Sequence, residues 1–334
     1  MSAIIDACHY RGGDMGGRFA RINSESEWVL LVPDRKGINS FVDSEIDPVQ
    51  LNQEVYRSEC PFCPPSHLAK SSYDTLIFPN EYPLVNSADL HGKLLSEDGH
   101  PIAGVNDVVI YTSKHNEYLH KCSVDQIANF FARLRDRHIY HYSTVGLRSI
   151  FTFMAVGARF GPSQLHPHGQ LLGMPFTPQR IDRILGPDAD SCMVCSEQNR
   201  AKEREYLVWE SDNISAYMTT APRVPYELWI STKRHGIGFV DQDDRGCIEL
   251  AEAVWHCLYA TQAHTFNPYL VAIFDVAPTS TNKHLRLEIM AFGRPNGADK
   301  YLGAFELSLG VYINPTDPRD IARTLRYRLN SLNA

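Results

Sequence analysis

The segment Gln164-Leu165-His166-Pro167-His168-Gly169-Gln170-Leu171 concentrates the side chains best suited to chemistry near neutral pH. An imidazole can act there as metal ligand, base or nucleophile. In an extended segment residues i and i+2 point the same way, so His166 and His168 share a face and Gln170 follows on it. Gly169 allows close approach of a phosphate, and the Gln170 amide can donate to a phosphoryl oxygen without titrating. A neutral imidazole with one nitrogen oriented and the other free can form a phosphoramidate with a nucleotidyl group and pass it on. These residue types therefore point to His166 as a zinc ligand and to His168 as the group that attacks phosphorus.

Cysteine spacing supplies the rest of the metal chemistry. Of eight cysteines, four fall in two Cys-x-x-Cys pairs, Cys60/Cys63 and Cys192/Cys195. In a reducing compartment such a pair means metal or redox chemistry rather than a structural disulfide. Neither pair is expected to open a helix after a thioredoxin-like strand, which favours metal. Zinc takes four N/S ligands in a tetrahedron. The candidate sets are Cys60, Cys63, His115 and His166, and then Cys192, Cys195, His235 and His284. Core thiols beside ordinary histidines are the plainer alternative, but two pairs each followed by two histidines at parallel positions argue against it. Both sets are closed, so two structural Zn2+ sites are expected.

The elements that must bring these ligands together are written twice. Apolar runs at Thr75–Phe78 and Val108–Tyr111 predict strands, the second closing on His115. Ser123 and Gln126 form a capping box before Ile127, Phe130, Phe131 and Leu134, which repeat at helical spacing. A strand from Ile150 to Met154 then leads to His166. After Pro178 come Cys192-Met193-Val194-Cys195, strands at Tyr206–Trp209 and Tyr226–Ser231, and His235. A helix over about 243–263 follows, with Ile248, Val254, Trp255 and Leu258 along one side, then a strand at Leu270–Phe274 and His284. Cys60, His115 and His166 are separated by 55 and 51 residues, and Cys192, His235 and His284 by 43 and 49. The expected fold is therefore α+β, two tandem units each with an antiparallel sheet and packed helices, over residues 1–178 and 179–334. In the second unit Arg286 stands where His168 stands in the first, and a permanently charged guanidinium cannot act as a nucleophile. The second unit is therefore expected to have at most a binding or structural role, with a simple Arg286–Glu288 ion pair at a strand end as the plainer reading.

Bulk properties exclude other classes. The 334-residue chain carries a formal charge of −7, and its Lys and Arg are scattered, so no basic field for nucleic acid exists. The first 15 residues lack a signal-peptide apolar core, and no stretch approaches a membrane span. A cytoplasmic protein without membrane or nucleic-acid partners is expected.

The motif His166-Pro167-His168-Gly169-Gln170 resembles the active-site motif of the galactose-1-phosphate uridylyltransferase family, the transferase branch of the histidine-triad superfamily. The resemblance spans nearly the whole chain and implies two histidine-triad-like domains. Trp28 to Arg35 resembles the N-terminal strand and nucleotide-binding arginine. Phe78 to Glu81 resembles the segment whose asparagine, here Asn80, holds the nucleoside, and Ser163 matches a phosphate-contacting serine. Lys300 to Glu306, including Phe305, resembles the segment whose Lys and Glu contact the hexose across a homodimer interface. The implied substrate contacts are thus Arg35, Asn80, Glu81, Ser163, Gln170, Lys300, Phe305 and Glu306. The first metal set matches a family zinc site residue by residue. Three positions depart from the pattern: Ile38 replaces a second arginine, Glu81 an aspartate and Tyr312 a hexose-contacting glutamine.

What the resemblance implies is ping-pong exchange of a nucleoside monophosphate between a nucleotide sugar and a sugar 1-phosphate through a nucleotidyl-His168 intermediate. Superfamily hydrolases usually place a third histidine where this chain has Gln170, so glutamine points to transfer. The alternatives are a nucleotide-sugar phosphorylase of the ADP-glucose phosphorylase kind, a hydrolase, and a non-catalytic zinc-stabilised binding protein.

Overall fold

The computed structural model describes residues 54–85, 104–160, 162–263, 266, 268–293 and 300–332, together with the backbone of strands β1 (Arg18–Ile22) and β2 (Glu27–Leu31), which pair with each other. The remaining strands are β3 (Leu76–Pro79), β4 (Val105–Ile110), β5 (Ser149–Val156), β6 (Gly169–Met174), β7 (Leu207–Glu210), β8 (Ile214–Met218), β9 (Tyr226–Thr232), β10 (Tyr269–Val276) and β11 (Arg286–Ala291). These nine form one antiparallel sheet in the order β3-β4-β6-β5-β10-β11-β9-β8-β7. The helices are α1 (Val124–Val145), α2 (Gln179–Leu185), α3 (Met193–Glu203), α4 (Asp244–Gln262), α5 (Ala304–Leu309) and α6 (Pro318–Asn330). Among the described residues no helix is long and apolar enough to cross a membrane.

The duplicated sequence pattern appears as symmetry about the middle of the sheet. Strand β5 pairs with β10 over the length of both, from Ser149 opposite Val276 to Val156 opposite Tyr269. Outward from that seam run β5, β6, β4, β3 on one side and β10, β11, β9, β8 on the other. Helix α1 connects β4 to β5 and α4 connects β9 to β10, and the two helices pack against each other. Strand β5 alternates as a strand covered more closely on one face should: Ile150, Thr152, Met154 and Val156 are buried, whereas Phe151, Phe153 and Ala155 are half-buried.

Local sequence explains the helix positions. The Ser123 hydroxyl accepts the Gln126 amide N–H, the Gln126 side chain accepts the Ser123 N–H, and Gly146 ends α1 in the left-handed region at φ 70°. Helix α4 is present, but its buried stripe is Cys247, Leu250, Ala251, Val254, Cys257, Leu258 and Thr261. Ile248 is exposed and Trp255 half-buried, because those positions are rotated to the flank of the stripe that faces the sheet. The second Cys-x-x-Cys, as expected, does not follow a thioredoxin-like strand. Cys192 is the N-cap of α3 and Cys195 lies in its first turn, so this pair does open a helix, though one that follows α2 rather than a strand.

Two buried polar clusters tie α1 to the sheet. His138 meets Asp275 of β10 at 3.1 Å and Thr152 of β5 at 3.0 Å, and the other Asp275 oxygen accepts the Phe239 N–H. Asp107 of β4 accepts from Arg137 Nε at 2.6 Å and lies 2.7 Å from His141 Nε2. Burial pushes the Asp107 carboxyl up, but the bonds to His141 and Arg137 outweigh it and hold the pKa below the usual range. A lowered folded-state pKa stabilises the fold above the unfolded value of about 4 and loses that contribution as pH falls toward the folded value. Asp107→Asn strands a partly buried guanidinium and should cost about 3 kcal/mol at pH 7. Urea unfolding should show the gap between wild type and variant narrowing below about pH 4. An equal gap at pH 7 and pH 3 would show that charge does not carry the effect.

Candidate active site and metal centres

The two Cys/His sets predicted from spacing each converge in space. In both, one ligand atom per residue lies within 4.8 Å of the others. In the first, Cys63 Sγ is 3.4 Å from His115 Nδ1 and 3.5 Å from His166 Nδ1, and Cys60 Sγ is 3.7 Å from His166 Nδ1. In the second, His284 Nδ1 is 3.5 Å from Cys192 Sγ and 3.4 Å from Cys195 Sγ, and His235 Nδ1 is 3.5 Å from Cys195 Sγ. A tetrahedral ion with metal–sulfur and metal–nitrogen bonds of about 2.3 and 2.1 Å has an S···N edge of about 3.6 Å. The donors therefore already stand at the corners such an ion requires.

Proton placement agrees with that geometry. His166 Nε2 donates to the Thr112 carbonyl at 2.9 Å, and His284 Nε2 donates to the Thr232 carbonyl at 2.8 Å. A carbonyl only accepts, so the proton sits on Nε2 and leaves each Nδ1 bare toward the thiols. Burial lowers His115, His166 and His284 to about 4, so they are neutral ligands at pH 7. It also raises the Cys63 and Cys195 thiols to about 11, so cation binding there would be coupled to release of their protons. Four donors per set leave no vacant position for substrate, which suits a structural ion.

His168 lies beside the first centre. Its ring is half-buried, and Nδ1 donates to the His166 carbonyl at 2.7 Å. Nδ1 must carry the proton, so Nε2 keeps its lone pair; burial, opposed by that hydrogen bond, lowers the pKa and favours the neutral ring. Phe62, between the paired cysteines, sets its ring edge-on to both His166 and His168, with centroids at 5.8 and 5.5 Å. The knuckle thus positions both histidines, a link invisible in the spacing. Gly169 has a second reason to be glycine: a Cβ there would sit 2.2 Å from the Phe153 carbonyl of neighbouring β5.

The other candidate residues are distributed unevenly. Gln170 and Asn80 are joined through Asn106 of β4, which bonds to both side chains. Sequence reading missed Asn106, whose only signal was that it and Asp107 are polar residues near the start of a strand that is otherwise apolar. Ser163 is half-buried in the irregular segment before His166, and Glu81 is exposed, 3.7 Å from His67. Lys300 and Glu306 are both buried and pair with each other at 2.5 Å, and Phe305 is exposed. Among the described residues no hydrogen bond or ion pair joins these three to His168 or Gln170. Arg35 lies outside the described residues, as does Ile38.

In the second half Arg286 and Glu288 are more than a strand-end pair. The Arg286 guanidinium lies over Phe274 at 4.1 Å and Trp229 at 4.7 Å, with Nη1 3.3 Å from Glu288 Oε1. Glu288 also accepts from Arg223, which holds Glu227 as well. The position equivalent to His168 is filled by a buried, charge-paired cluster.

Comparisons with known proteins fit this arrangement. Residues 18–178 match the model for the galactose-1-phosphate uridyl transferase N-terminal domain. A galactose-1-phosphate uridylyltransferase of Thermotoga maritima is 27% identical over 289 residues, covering 81% of this chain and 89% of that protein. An ADP-glucose phosphorylase of Arabidopsis thaliana is 25% identical over 235 residues, 67% of this chain and 64% of that one. Among solved structures, a uridylyltransferase superposes with a TM-score of 0.77 at 24% identity, over 95% of this chain and all of that one. The A. thaliana ADP-glucose phosphorylase with bound ADP-glucose gives 0.66 at 22% identity, over 90% and 95%. At that identity the structural likenesses speak for the fold.

Metal-free protein titrated with Co2+ should bind two equivalents, with the absorption of tetrahedral cobalt and a thiolate-to-metal band. Cys60→Ser and Cys192→Ser should each abolish one equivalent. Saturation without any thiolate band would refute both centres.

Proposed function

We propose that the chain, whose residues 18–178 match the galactose-1-phosphate uridyl transferase N-terminal model and which is similar to a galactose-1-phosphate uridylyltransferase over most of its length, is a nucleotidyltransferase of that family exchanging a nucleoside monophosphate between a nucleotide sugar and a sugar 1-phosphate. The observation that carries the mechanism is the 2.7 Å bond from His168 Nδ1–H to the His166 carbonyl, which frees Nε2 as the nucleophile. Nε2 forms a bond to the α-phosphorus of the donor while the bond from that phosphorus to the bridging oxygen breaks. The sugar 1-phosphate leaves with that electron pair. The ring becomes a charged N-phosphoryl imidazole, and the same carbonyl stabilises its remaining N–H. A phosphate oxygen of the second sugar 1-phosphate then bonds to phosphorus and the N–P bond breaks, restoring neutral His168. No proton need be removed in either step. The Gln170 amide, charge-neutral throughout, donates to the phosphoryl oxygen, and Asn80, Glu81, Ser163 and Arg35 are read as donor contacts.

In this reading zinc occupies both centres and supplies structural fixation. Cys60, Cys63, His115 and His166 hold the strand end that carries His168; Cys192, Cys195, His235 and His284 hold the matching end in the second half. We take residues 1–178 and 179–334 as the duplicated histidine-triad-like units, a division supported by the matching strand orders on the two sides of the β5–β10 seam. The seven described cysteines are all free thiols, which supports a cytoplasmic setting.

The active form is read as a homodimer in which Lys300, Phe305 and Glu306 serve the partner's sugar site. Support comes from the segment around α5, where Tyr301, Phe305, Leu307, Leu309, Val311 and Ile313 are all exposed. A run of this size on one segment marks an interaction surface. Sedimentation should find a dimer that Leu307→Asp dissociates; wild-type monomer at micromolar concentration would refute it.

Incubation with donor labelled at the α-phosphate, UDP-glucose first and ADP-glucose beside it, should leave an acid-labile, base-stable label on the protein. His168→Ala should abolish the label, and Gln170→Ala should slow its formation by about 10²–10³-fold, the cost of one preorganised donor. No label from either nucleotide, or label surviving His168→Ala, sinks the mechanism. Release of the label by galactose 1-phosphate rather than by inorganic phosphate separates transferase from phosphorylase.

A further inference from the structure

We propose that Asn106 is a positioning residue that turns the amide of Gln170 outward as a hydrogen-bond donor and locks Asn80 in register with it. This inference rests on the reading of Gln170 and Asn80 as substrate contacts.

Asn106 is 5% exposed and sits on β4 between the turn after β3 and strand β6. Its Oδ1 accepts the Leu84 backbone N–H at 2.9 Å, and its Nδ2 donates to the Leu171 carbonyl at 3.1 Å. A backbone N–H only donates and a carbonyl only accepts, so these two contacts exclude a flipped amide. The remaining acceptor position on Oδ1 takes Asn80 Nδ2 at 3.2 Å, and the remaining proton on Nδ2 goes to Gln170 Oε1 at 3.4 Å. All four hydrogen-bonding positions of the side chain are thereby used.

The consequence for Gln170 is directional. Its carbonyl end is turned inward to Asn106, so its NH2 end is the one that can meet a ligand oxygen. A glutamine free to flip would present an acceptor to a phosphoryl group half the time, and two oxygens would then repel. For Asn80 the effect is similar: Nδ2 is held by Asn106 while Oδ1 accepts the Tyr82 N–H at 2.9 Å, and its main-chain N–H donates to the Asn106 carbonyl. One buried amide therefore sets both the residue read as the nucleoside contact and the one read as the phosphate contact. Nothing else about the strand calls for a polar side chain there, and an apolar residue of that size would strand the Leu84 N–H.

Two substitutions separate the branches. Asn106→Asp keeps the acceptor for Leu84 and Asn80 but puts a second oxygen against Gln170 Oε1 and the Leu171 carbonyl; of these two only the Gln170 amide can turn over, and it should. Asn106→Ala releases both side chains. In rapid-mixing experiments with labelled donor, Asn106→Asp should slow nucleotidylation of His168 by about 10²-fold, the scale set by small misplacements of catalytic groups. Donor affinity should change by less than about threefold, a shift too small to reflect a lost hydrogen bond. Asn106→Ala should lower both the rate and the affinity. In a Gln170→Ala background, Asn106→Asp should cost nothing further in rate, because the two act as one unit.

Equal losses from Asn106→Asp with and without Gln170 would overturn the proposal, as would a wild-type rate in either variant. A readout independent of turnover is a crystal structure of Asn106→Ala at high resolution. Gln170 and Asn80 should both leave their present rotamers; if both stay in place the proposal is wrong, whatever donor the protein uses. Failure of labelling in the wild type alone would count against the nucleotidyltransferase reading, and this structural test would still decide the role of Asn106.

Discussion

The bond between His168 Nδ1 and the carbonyl of His166 is the constraint on which the site turns. It makes one residue serve two ends. The His166 side chain reaches back to the Cys60/Cys63 knuckle, and its main chain reaches forward to fix the tautomer of His168. Proline between them limits how the two can move apart. Any slack in the metal cluster would therefore pass directly into the aim of Nε2. Phe62 closes the loop from the other side, since the knuckle that supplies the thiols also presses a ring edge against both imidazoles. In the proposed reading, metal binding and nucleophile orientation are a single piece of packing.

The second half repeats this arrangement without a histidine at the position of His168. Its Cys/His set matches the first closely, down to an Nε2–H donating to a threonine carbonyl in each copy. The position after it does not. Arg286 cannot accept a phosphoryl group, and it is buried between Trp229 and Phe274 with Glu288 and Arg223 nearby. The buried charges there need one another: removing any one would strand the rest, and such clusters hold a structure in one arrangement more than they stabilise it. A matching Cys/His set in both halves, with a histidine beside it in only one, fits the proposal that the metal set serves the strand ends in both. In the proposed reading, only the first half uses that rigidity to aim a nucleophile.

Ligand chemistry was legible in the sequence because it depends on residue type and spacing, which a chain displays directly. Both metal sets, the α1 capping box and the duplicated order of strands and helices belong to that class. Other features depend on what lies across a strand or behind a turn. Ile248 fits a helical repeat as well as Leu250 does, and only the direction of the sheet separates them. The helix opened by Cys192 was obscured because Met193-Val194-Cys195 carries no cap signal beyond the cysteine itself, whose side chain makes no capping bond. Asn106 shows the limit most clearly. Its importance comes from four partners at positions 80, 84, 170 and 171, none adjacent to it in sequence. Arg35, read from the family motif, lies outside the described residues, so its place rests on sequence alone.

The character of the site also bears on why transfer should win over hydrolysis. The described contacts of His168 are a carbonyl on one side and the edge of an aromatic ring on the other. Neither can take a proton from water at neutral pH, and the glutamine two residues on cannot do so either. Water attacking the nucleotidyl-histidine would have to lose a proton without help. A phosphate monoester needs no such help, because its oxygens are already ionised at pH 7. It also brings charge that an outward-facing amide can steer through hydrogen bonds. With a base absent from these contacts and a fixed donor present, the arrangement selects among acceptors by their protonation state. In the proposed reading, the described surroundings of His168 thus favour phosphate over water before any part of the sugar is recognised.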